Sequence, residues 1–179
     1  MLYSELQCSE AIHKAVERMG FAEMTEIQEK TIPVMLAGHD VIAKAPTGTG
    51  KTCAFGIPVA EHIVPENKYP QAVIMAPTRE LAQQIADELS ELTYFMPEVQ
   101  VACVYGGANM EKQAKRLAEG CQIVVATPGR LMDHYKHHSI DISHVTQIVL
   151  DEADEMLNMG FYKDVRHIIE MMKARKALS

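Results

Sequence analysis

The sequence lacks several features that would assign it to a specialised class of protein. No apolar run reaches the ~18 residues that cross a bilayer, and residues 1–5 have neither the basic nor the apolar region of a secretion signal. The four cysteines include no C-x-x-C pair, so a zinc site or a disulfide framework has little support. We therefore expect a cytoplasmic protein with free thiols and no contact with a membrane.

An excess of positive charge is also missing. The 17 Lys and Arg residues are outnumbered by 24 Asp and Glu residues, so the formal net charge is −7. Affinity for nucleic acid comes mostly from neutralised phosphates, so we expect any contact with nucleic acid to be confined to a small area. The 179 residues, of which 47% are hydrophobic, are enough for one domain with its own core.

Short apolar runs alternate with helical patterns along the chain. The runs predict buried strands at residues 41–43, 72–76, 101–104, 123–126 and 148–150. Helices are predicted from Ser9 to Gly20, from Thr25 to Gly38, from about Lys51, between the later strands, and from Tyr162 to about Ala174. This alternation predicts a parallel sheet covered by helices on both faces, with ligands bound at the carboxyl ends of the strands.

The most specific motif is residues 45–52, which follow the first predicted strand and open a helix. It predicts a phosphate-binding P-loop, because Gly48 and Gly50 let backbone N–H groups point at phosphate oxygens. Lys51 would reach the outer phosphates, and the Thr52 hydroxyl would bind Mg²⁺. The predicted nucleotide-binding residues here are Pro46, Thr47, Gly48, Thr49, Gly50, Lys51 and Thr52. Ala45 replaces the usual first glycine, and an ordinary glycine-rich turn is the alternative.

Two carboxylates follow the strand predicted at 148–150. Asp151 can hold Mg²⁺ through its water shell while Glu152 polarises the attacking water, as hydrolysis of a phosphoanhydride requires. Together with Lys51, they are the predicted catalytic residues. The alternative is that both carboxylates only cap the next helix, where negative charge is favourable.

The string Asp151-Glu152-Ala153-Asp154, together with the P-loop, resembles the DEAD-box RNA helicases. Residues 1–28 resemble the family's Q motif, which implies that Phe21 stacks on adenine and that Gln28 pairs with its edge, with Thr25 also at the nucleotide. Tyr3 stands where the family usually has phenylalanine, and Met24 where proline is common. Thr25 and Gln28 also form a capping box, which is a purely structural alternative.

Three further segments resemble the family's RNA-binding motifs, and each follows a predicted strand. They are Pro77-Thr78-Arg79, Gly106-Gly107 and Thr127-Pro128-Gly129-Arg130. The resemblance implies contacts with the RNA backbone through helix N-termini, glycine N–H groups, hydroxyls and guanidiniums, so binding should not depend on base sequence. Thr78 and Thr127 are also candidates for helix N-caps.

The resemblance covers nearly the whole chain. It implies an α/β fold, a RecA-like P-loop three-layer α/β/α sandwich with a mainly parallel sheet, in a single domain over residues 1–179. The implied function is that of the ATP-binding and RNA-contacting N-terminal domain of an ATP-dependent RNA helicase, with ATP and Mg²⁺ as cofactors. The C-terminal helicase domain, a partner in cis, is absent from this chain, so we expect nucleotide binding with very weak hydrolysis.

Functions from two other classes stay open. A chain without the second domain can be a non-enzymatic binding module, and a P-loop also occurs in small kinases, although no Arg-rich segment resembling a lid is present. The spacing of His134, His137 and His138 would permit a metal site, but no cysteine or carboxylate cluster accompanies them.

Overall fold

The computed structural model describes residues 2–21, 23–24, 26–36, 51–161 and 163–170. The predicted strand 41–43, residues 45–50 of the P-loop, Thr25 and the predicted helix beyond residue 170 lie outside the described residues. The chain divides into two compact units. Unit 1 comprises Met1–Val64 and Asp87–Glu98, and unit 2 comprises Pro65–Ala86 and Val99–Ser179.

Helices form the described part of unit 1. A 3₁₀ turn at Tyr3–Glu5 is followed by α1 (Glu10–Arg18), α2 (Glu26–Leu36) and α3 (Lys51–Glu61), and the last residues of α4 (Arg79–Leu92) complete the unit. Ser9 stands at the N-cap of α1 as predicted, but its hydroxyl makes no capping bond. Instead, the Ser9 N–H donates to Oε2 of Glu61 (3.0 Å). Gly20 ends α1 with a φ of +85°, which is the left-handed stop that the sequence predicts.

A glycine brings α3 close to the end of α4. A β-carbon at Gly56 would lie 2.7 Å from Cδ1 of Leu92 and 3.1 Å from Cδ2 of Leu89. Both leucines are fully buried. Glycine costs helix stability, but here it permits a backbone approach that a larger residue would prevent.

Unit 2 is built on a four-stranded parallel sheet. The strands are β1 (Ala72–Met75), β2 (Val101–Val104), β3 (Ile123–Ala126) and β4 (Gln147–Leu150). Their spatial order is β2-β3-β1-β4, and every pair is parallel. The sheet confirms the predicted α/β class and four of the five predicted strands.

Helices follow the strands of unit 2, as predicted between the strands and from about residue 162. They are α5 (Met110–Ala118), α6 (Pro128–Lys136), α7 (Ala153–Asn158) and α8 (residues 163–170), of which α7 is one that the sequence analysis did not place. Alternate sheet residues such as Val73 and Val124 form one core cluster with Leu117 of α5 and Leu131 of α6. The opposite face is equally buried in the two inner strands, as the continuous apolar runs predict.

Strand β4 is less buried than its sequence predicts. All four of its residues are half-buried, whereas every residue of β1 and β3 is buried. Among the described strands β4 pairs only with β1. No helix within the described ranges is long and apolar enough to cross a membrane.

Candidate functional site

The four strands of unit 2 end level with one another. At the carboxyl ends Val104 pairs with Ala126, Ala126 with Met75, and Met75 with Leu150. One residue further on, the Asp151 N–H still donates to the Met75 carbonyl (2.9 Å). Four predicted polar segments therefore leave the sheet side by side, in the order 106–107, 127–130, 77–79 and 151–152. We call these four segments the polar edge.

The acidic pair lies at the β4 end of the polar edge. Asp151 is buried, with 5% of its surface exposed, and Glu152 is half-buried. Glu152 occupies the N-cap position of α7, but its side chain makes no capping hydrogen bond. The Glu152 side chain thus forms no capping hydrogen bond, and the alternative that both carboxylates only place negative charge at the start of α7 stays untested.

The backbone of Glu152 is left-handed, with φ 53° and ψ 52°. This region is uncommon for residues other than glycine, asparagine and aspartate, and it costs of the order of 1 kcal/mol or more. Strained positions of this kind cluster at functional sites.

The two predicted threonine caps differ. Oγ1 of Thr78 accepts a hydrogen bond from the Leu81 N–H (3.2 Å), so Thr78 caps α4 as the structural alternative expects. Thr127 stands at the N-cap of α6 with Pro128 at the first helical position, but its hydroxyl makes no capping bond. Pro77 and Pro128, also among the residues predicted to contact RNA, are both buried.

Arg79 is exposed and lies over an aromatic ring. Its guanidinium carbon is 4.7 Å from the ring centroid of Tyr105. The Tyr105 hydroxyl accepts a hydrogen bond from Nε2 of Gln83 (3.0 Å), which holds the ring in place. Tyr105 is a residue that the sequence analysis missed; its position directly before Gly106 was the available signal.

Arg130, predicted to contact RNA, is largely buried and holds a neighbouring turn. Its side chain is 13% exposed, and Nη1 donates to the Ala108 carbonyl (3.0 Å) and to Oε1 of Gln113 (3.0 Å). Nε lies 3.6 Å from Oδ2 of Asp133. Arg130 thus fixes the chain just after Gly107. Gly107 itself has a φ of +86°, a conformation that favours glycine.

A buried polar cluster supports the same turn. The Gln113 side chain donates through Nε2 to the Tyr105 carbonyl (3.0 Å), and its Oε1 also accepts from Nε2 of His134 (3.0 Å). His134 is completely buried. Sequence reasoning considered it only as a weak metal ligand; the described residues contain no group of three His, Cys, Asp or Glu side chains that could hold a metal ion.

In unit 1, Tyr3 contacts both of the residues predicted to read adenine. The Tyr3 hydroxyl donates a hydrogen bond to Oε1 of Gln28, and the ring centroids of Tyr3 and Phe21 are 6.1 Å apart. Phe21 is 40% exposed and borders a cavity of about 270 Å³, whereas Gln28 is 2% exposed. Tyr3 was noted in the sequence only as a departure from the family's phenylalanine.

The helix predicted after the P-loop begins at Lys51, and Thr52 is buried in its first turn. The proposed Mg²⁺ ligands, the Thr52 hydroxyl and the Asp151 carboxylate, are both hard oxygen donors. Mg²⁺ prefers hard oxygen ligands and usually keeps several waters, so each of these two donors, taken by itself, suits it chemically.

Comparisons with known proteins agree with one another. The sequence model of the family described as DEAD/DEAH box helicase matches residues 25–179. The chain is 51% identical over 170 residues to the ATP-dependent RNA helicase CshA of Limosilactobacillus reuteri, covering 95% of this chain and 34% of that relative. It is 44% identical over 167 residues to the ATP-dependent RNA helicase DeaD of Escherichia coli, covering 93% of this chain and 27% of the relative.

Solved structures show the same likeness. A DEAD box protein from Methanococcus jannaschii superimposes with a TM-score of 0.88 and 42% sequence identity, covering 95% of this chain and 46% of that chain. A hypothetical ATP-dependent RNA helicase from Sulfolobus tokodaii gives a TM-score of 0.82 and 41% identity, covering 90% and 46%. The chain spans about a third of the length of the curated relatives it matches.

The buried His134 predicts a pH-dependent contribution to stability. Burial lowers its pKa below the ordinary 6.5, and the nearby Arg130 guanidinium lowers it further. The unfolded chain therefore binds a proton at His134 more readily than the folded protein does. His134 therefore adds to the free energy of unfolding at pH values above 6.5. This contribution should be lost as the pH falls from 6.5 towards the lowered pKa of His134.

The measurement is urea unfolding between pH 7 and pH 5. In His134→Gln the amide can still donate to Gln113 but does not titrate, so the loss of stability at low pH should be smaller than in the wild type. The matched control is His167→Gln, at an exposed position of α8, which should keep the wild-type loss. Equal pH profiles for the wild type and His134→Gln would contradict the assignment.

Proposed function

We propose that this chain, which belongs to the DEAD/DEAH box helicase family, is the ATP-binding and RNA-contacting N-terminal domain of an ATP-dependent RNA helicase. The family membership rests on the match over residues 25–179. The relatives are named as ATP-dependent RNA helicases, and the chain matches about a third of their length. RNA unwinding is thus proposed for a longer protein with a second helicase domain in cis, in the cytoplasm.

The observation that carries the proposal is the polar edge. Segments from four neighbouring strands leave the sheet side by side, and three of them are those proposed to contact RNA. They offer the exposed backbone of Gly106 and Gly107, the N-terminal turns of α4 and α6, and the exposed guanidinium of Arg79. N–H groups and helix N-termini suit phosphates and read no bases.

The RNA contacts are few enough to suit an acidic protein. A net charge of −7 would oppose binding over a wide surface. Along the polar edge, however, most of the proposed donors are uncharged N–H and hydroxyl groups. Arg79 supplies the exposed positive charge of these segments, since Arg130 is turned towards Ala108 and Gln113. We therefore assign Arg79 a direct contact with RNA and Arg130 the support of the neighbouring turn.

The proposed nucleotide site combines two kinds of residues. Residues 46–52 would bind the phosphates, with Lys51 on the outer ones, and Phe21, Thr25 and Gln28 would bind adenine. Mg²⁺, held by Thr52 and Asp151, would offset charge on the phosphate oxygens when bound. Glu152, placed after Asp151 on strained backbone, would orient the attacking water and accept its proton.

The P-loop assignment predicts a loss of nucleotide affinity in Lys51→Ala. A charge-assisted hydrogen bond contributes about 1.5–3 kcal/mol, so the Kd for ADP with Mg²⁺ should rise about 10- to 100-fold. Calorimetric titration measures it. The control is Lys112→Ala at an exposed position of α5, where the Kd should not change. Unaltered affinity in Lys51→Ala would refute the P-loop assignment.

The assignment of Arg79 predicts weaker binding to every RNA. In Arg79→Gln the affinities for two unrelated single-stranded RNAs of equal length should fall by the same factor. The slope of log K against log salt should decrease in magnitude by about 0.7, the value for one lost phosphate contact on a single strand. Fluorescence anisotropy at several salt concentrations measures both, with Arg166→Gln on α8 as the control. A loss confined to one RNA sequence would contradict a backbone contact.

The enzymatic role predicts turnover that depends on Glu152. RNA should raise the very weak ATPase rate of this chain. In Glu152→Gln the RNA-stimulated rate should fall by about 100-fold or more, whereas the affinity for ADP should stay the same. The control is Glu155→Gln, an exposed position on α7. Absence of turnover with and without RNA would favour a non-enzymatic binding module, and transfer of phosphate to a small acceptor would favour a kinase.

A further inference from the structure

The positive charge of Arg79 lies where it does not stabilise its own helix. Arg79 is the first residue of α4, and a cation near a helix N-terminus is opposed by the positive end of the helix dipole. Among the described residues, Arg79 takes part in no ion pair that would offset this charge. The position instead suits an anionic ligand, to which the free N–H groups of the same helical turn can also donate.

Two side chains of α4 contact the same tyrosine. Arg79 and Gln83 are four residues apart, so they lie on the same face of the helix. The guanidinium carbon of Arg79 is 4.7 Å from the ring centroid of Tyr105, and Nε2 of Gln83 donates to the Tyr105 hydroxyl (3.0 Å). The Tyr105 carbonyl accepts a hydrogen bond from Nε2 of Gln113 (3.0 Å). Tyr105 is therefore held at its hydroxyl and at its backbone, with its ring beside Arg79.

The contact between Arg79 and Tyr105 reaches past a strand. Tyr105 directly follows β2, and Arg79 lies after β1, whereas β3 lies between these two strands in the sheet. Each strand spacing is about 4.8 Å, so only long side chains can join segments that are two strands apart. The ring thus links segments 106–107 and 77–79 of the polar edge, both of which we propose to contact RNA.

An aromatic ring can hold a guanidinium without using its hydrogen-bond donors. The attraction acts between the positive charge and the face of the ring, so the N–H groups of Arg79 stay available for phosphate oxygens. A long, exposed side chain otherwise loses rotamer freedom when it binds a ligand, and this loss weakens the complex. A ring that restricts the side chain beforehand reduces that loss.

We propose that Tyr105 is a positioning residue for RNA binding: its ring holds the guanidinium of Arg79 in place to contact the RNA backbone. This role rests on the proposed function, in which Arg79 binds a phosphate. Tyr105 is half-buried and needs no contact of its own with RNA. Because a phosphate contact reads no bases, the ring should strengthen binding to every RNA by the same factor.

The test compares two variants that both lack the Tyr105 hydroxyl and therefore the hydrogen bond from Gln83. Tyr105→Phe keeps an aromatic ring, whereas Tyr105→Leu has none. We expect the Kd for a single-stranded RNA to be about 2- to 5-fold higher in Tyr105→Leu than in Tyr105→Phe, the effect of one exposed cation–π contact. Fluorescence anisotropy with two unrelated RNAs of equal length should give the same ratio.

Tyr94 offers a matched control in unit 1. The guanidinium carbon of Arg18 is 3.8 Å from the Tyr94 ring centroid, so this tyrosine makes the same kind of contact. Tyr94→Phe and Tyr94→Leu should have equal Kd values for RNA. If circular dichroism shows that Tyr105→Leu does not fold, Tyr105→Met takes its place as the variant without a ring, because methionine adapts to irregular space.

A double-mutant cycle shows whether the ring acts through Arg79. In an Arg79→Gln background, the difference between phenylalanine and leucine at position 105 should disappear. A purely structural role of the ring, or a direct contact of the ring with RNA, would leave the difference unchanged in that background. Either that result or equal Kd values for Tyr105→Phe and Tyr105→Leu would overturn the inference.

The same measurements separate the inference from the proposed function. If Arg79→Gln weakens RNA binding but the ring at position 105 makes no difference, the proposed function stands and the inference fails. If Arg79→Gln leaves the RNA affinity unchanged, the proposed contact of Arg79 with RNA fails, and the inference fails with it.

Discussion

Register within the parallel sheet is the constraint on which the polar edge depends. Residues that lie up to 75 positions apart along the chain, from 77 to 152, come together because the strands before them end level. A slip of one residue would move a strand end by about 3.3 Å and turn its side chains to the other face. The complete burial of β1 and β3 on both faces makes such a slip costly.

A second constraint acts on the turns themselves. The register of β2 determines where residues 106–108 leave the sheet. The path of their backbone is set by two hydrogen bonds, from Gln113 to the Tyr105 carbonyl and from Arg130 to the Ala108 carbonyl. His134 shares Oε1 of Gln113 from the core. Buried polar networks of this kind favour one geometry when their groups are paired, because an unpaired group in the interior is expensive. The hydrogen bonds from Gln113 and Arg130 thus hold the backbone carbonyls on both sides of the exposed glycines.

Sequence patterns predicted the elements and the segments between them, because apolar periodicity and turn residues are local signals. Four strands lie where predicted, with shifts of at most one residue at their ends, and helices follow β1, β2 and β3 as predicted. The half-burial of β4 escaped prediction, since its run of apolar residues resembles those of the fully buried strands. The direction of Arg130 escaped it as well, because its partners are 22 and 17 residues away. The roles of Lys51 and of the P-loop stay predictions.

The left-handed backbone of Glu152 has a consequence for how such a protein would change under selection. Glycine and asparagine adopt this conformation with less strain, so either would relieve local energy at this position. Selection for heat resistance alone would therefore favour glycine or asparagine at position 152. Either substitution would remove the carboxylate that we assign to the attacking water. At this residue thermal robustness and turnover are expected to trade against each other.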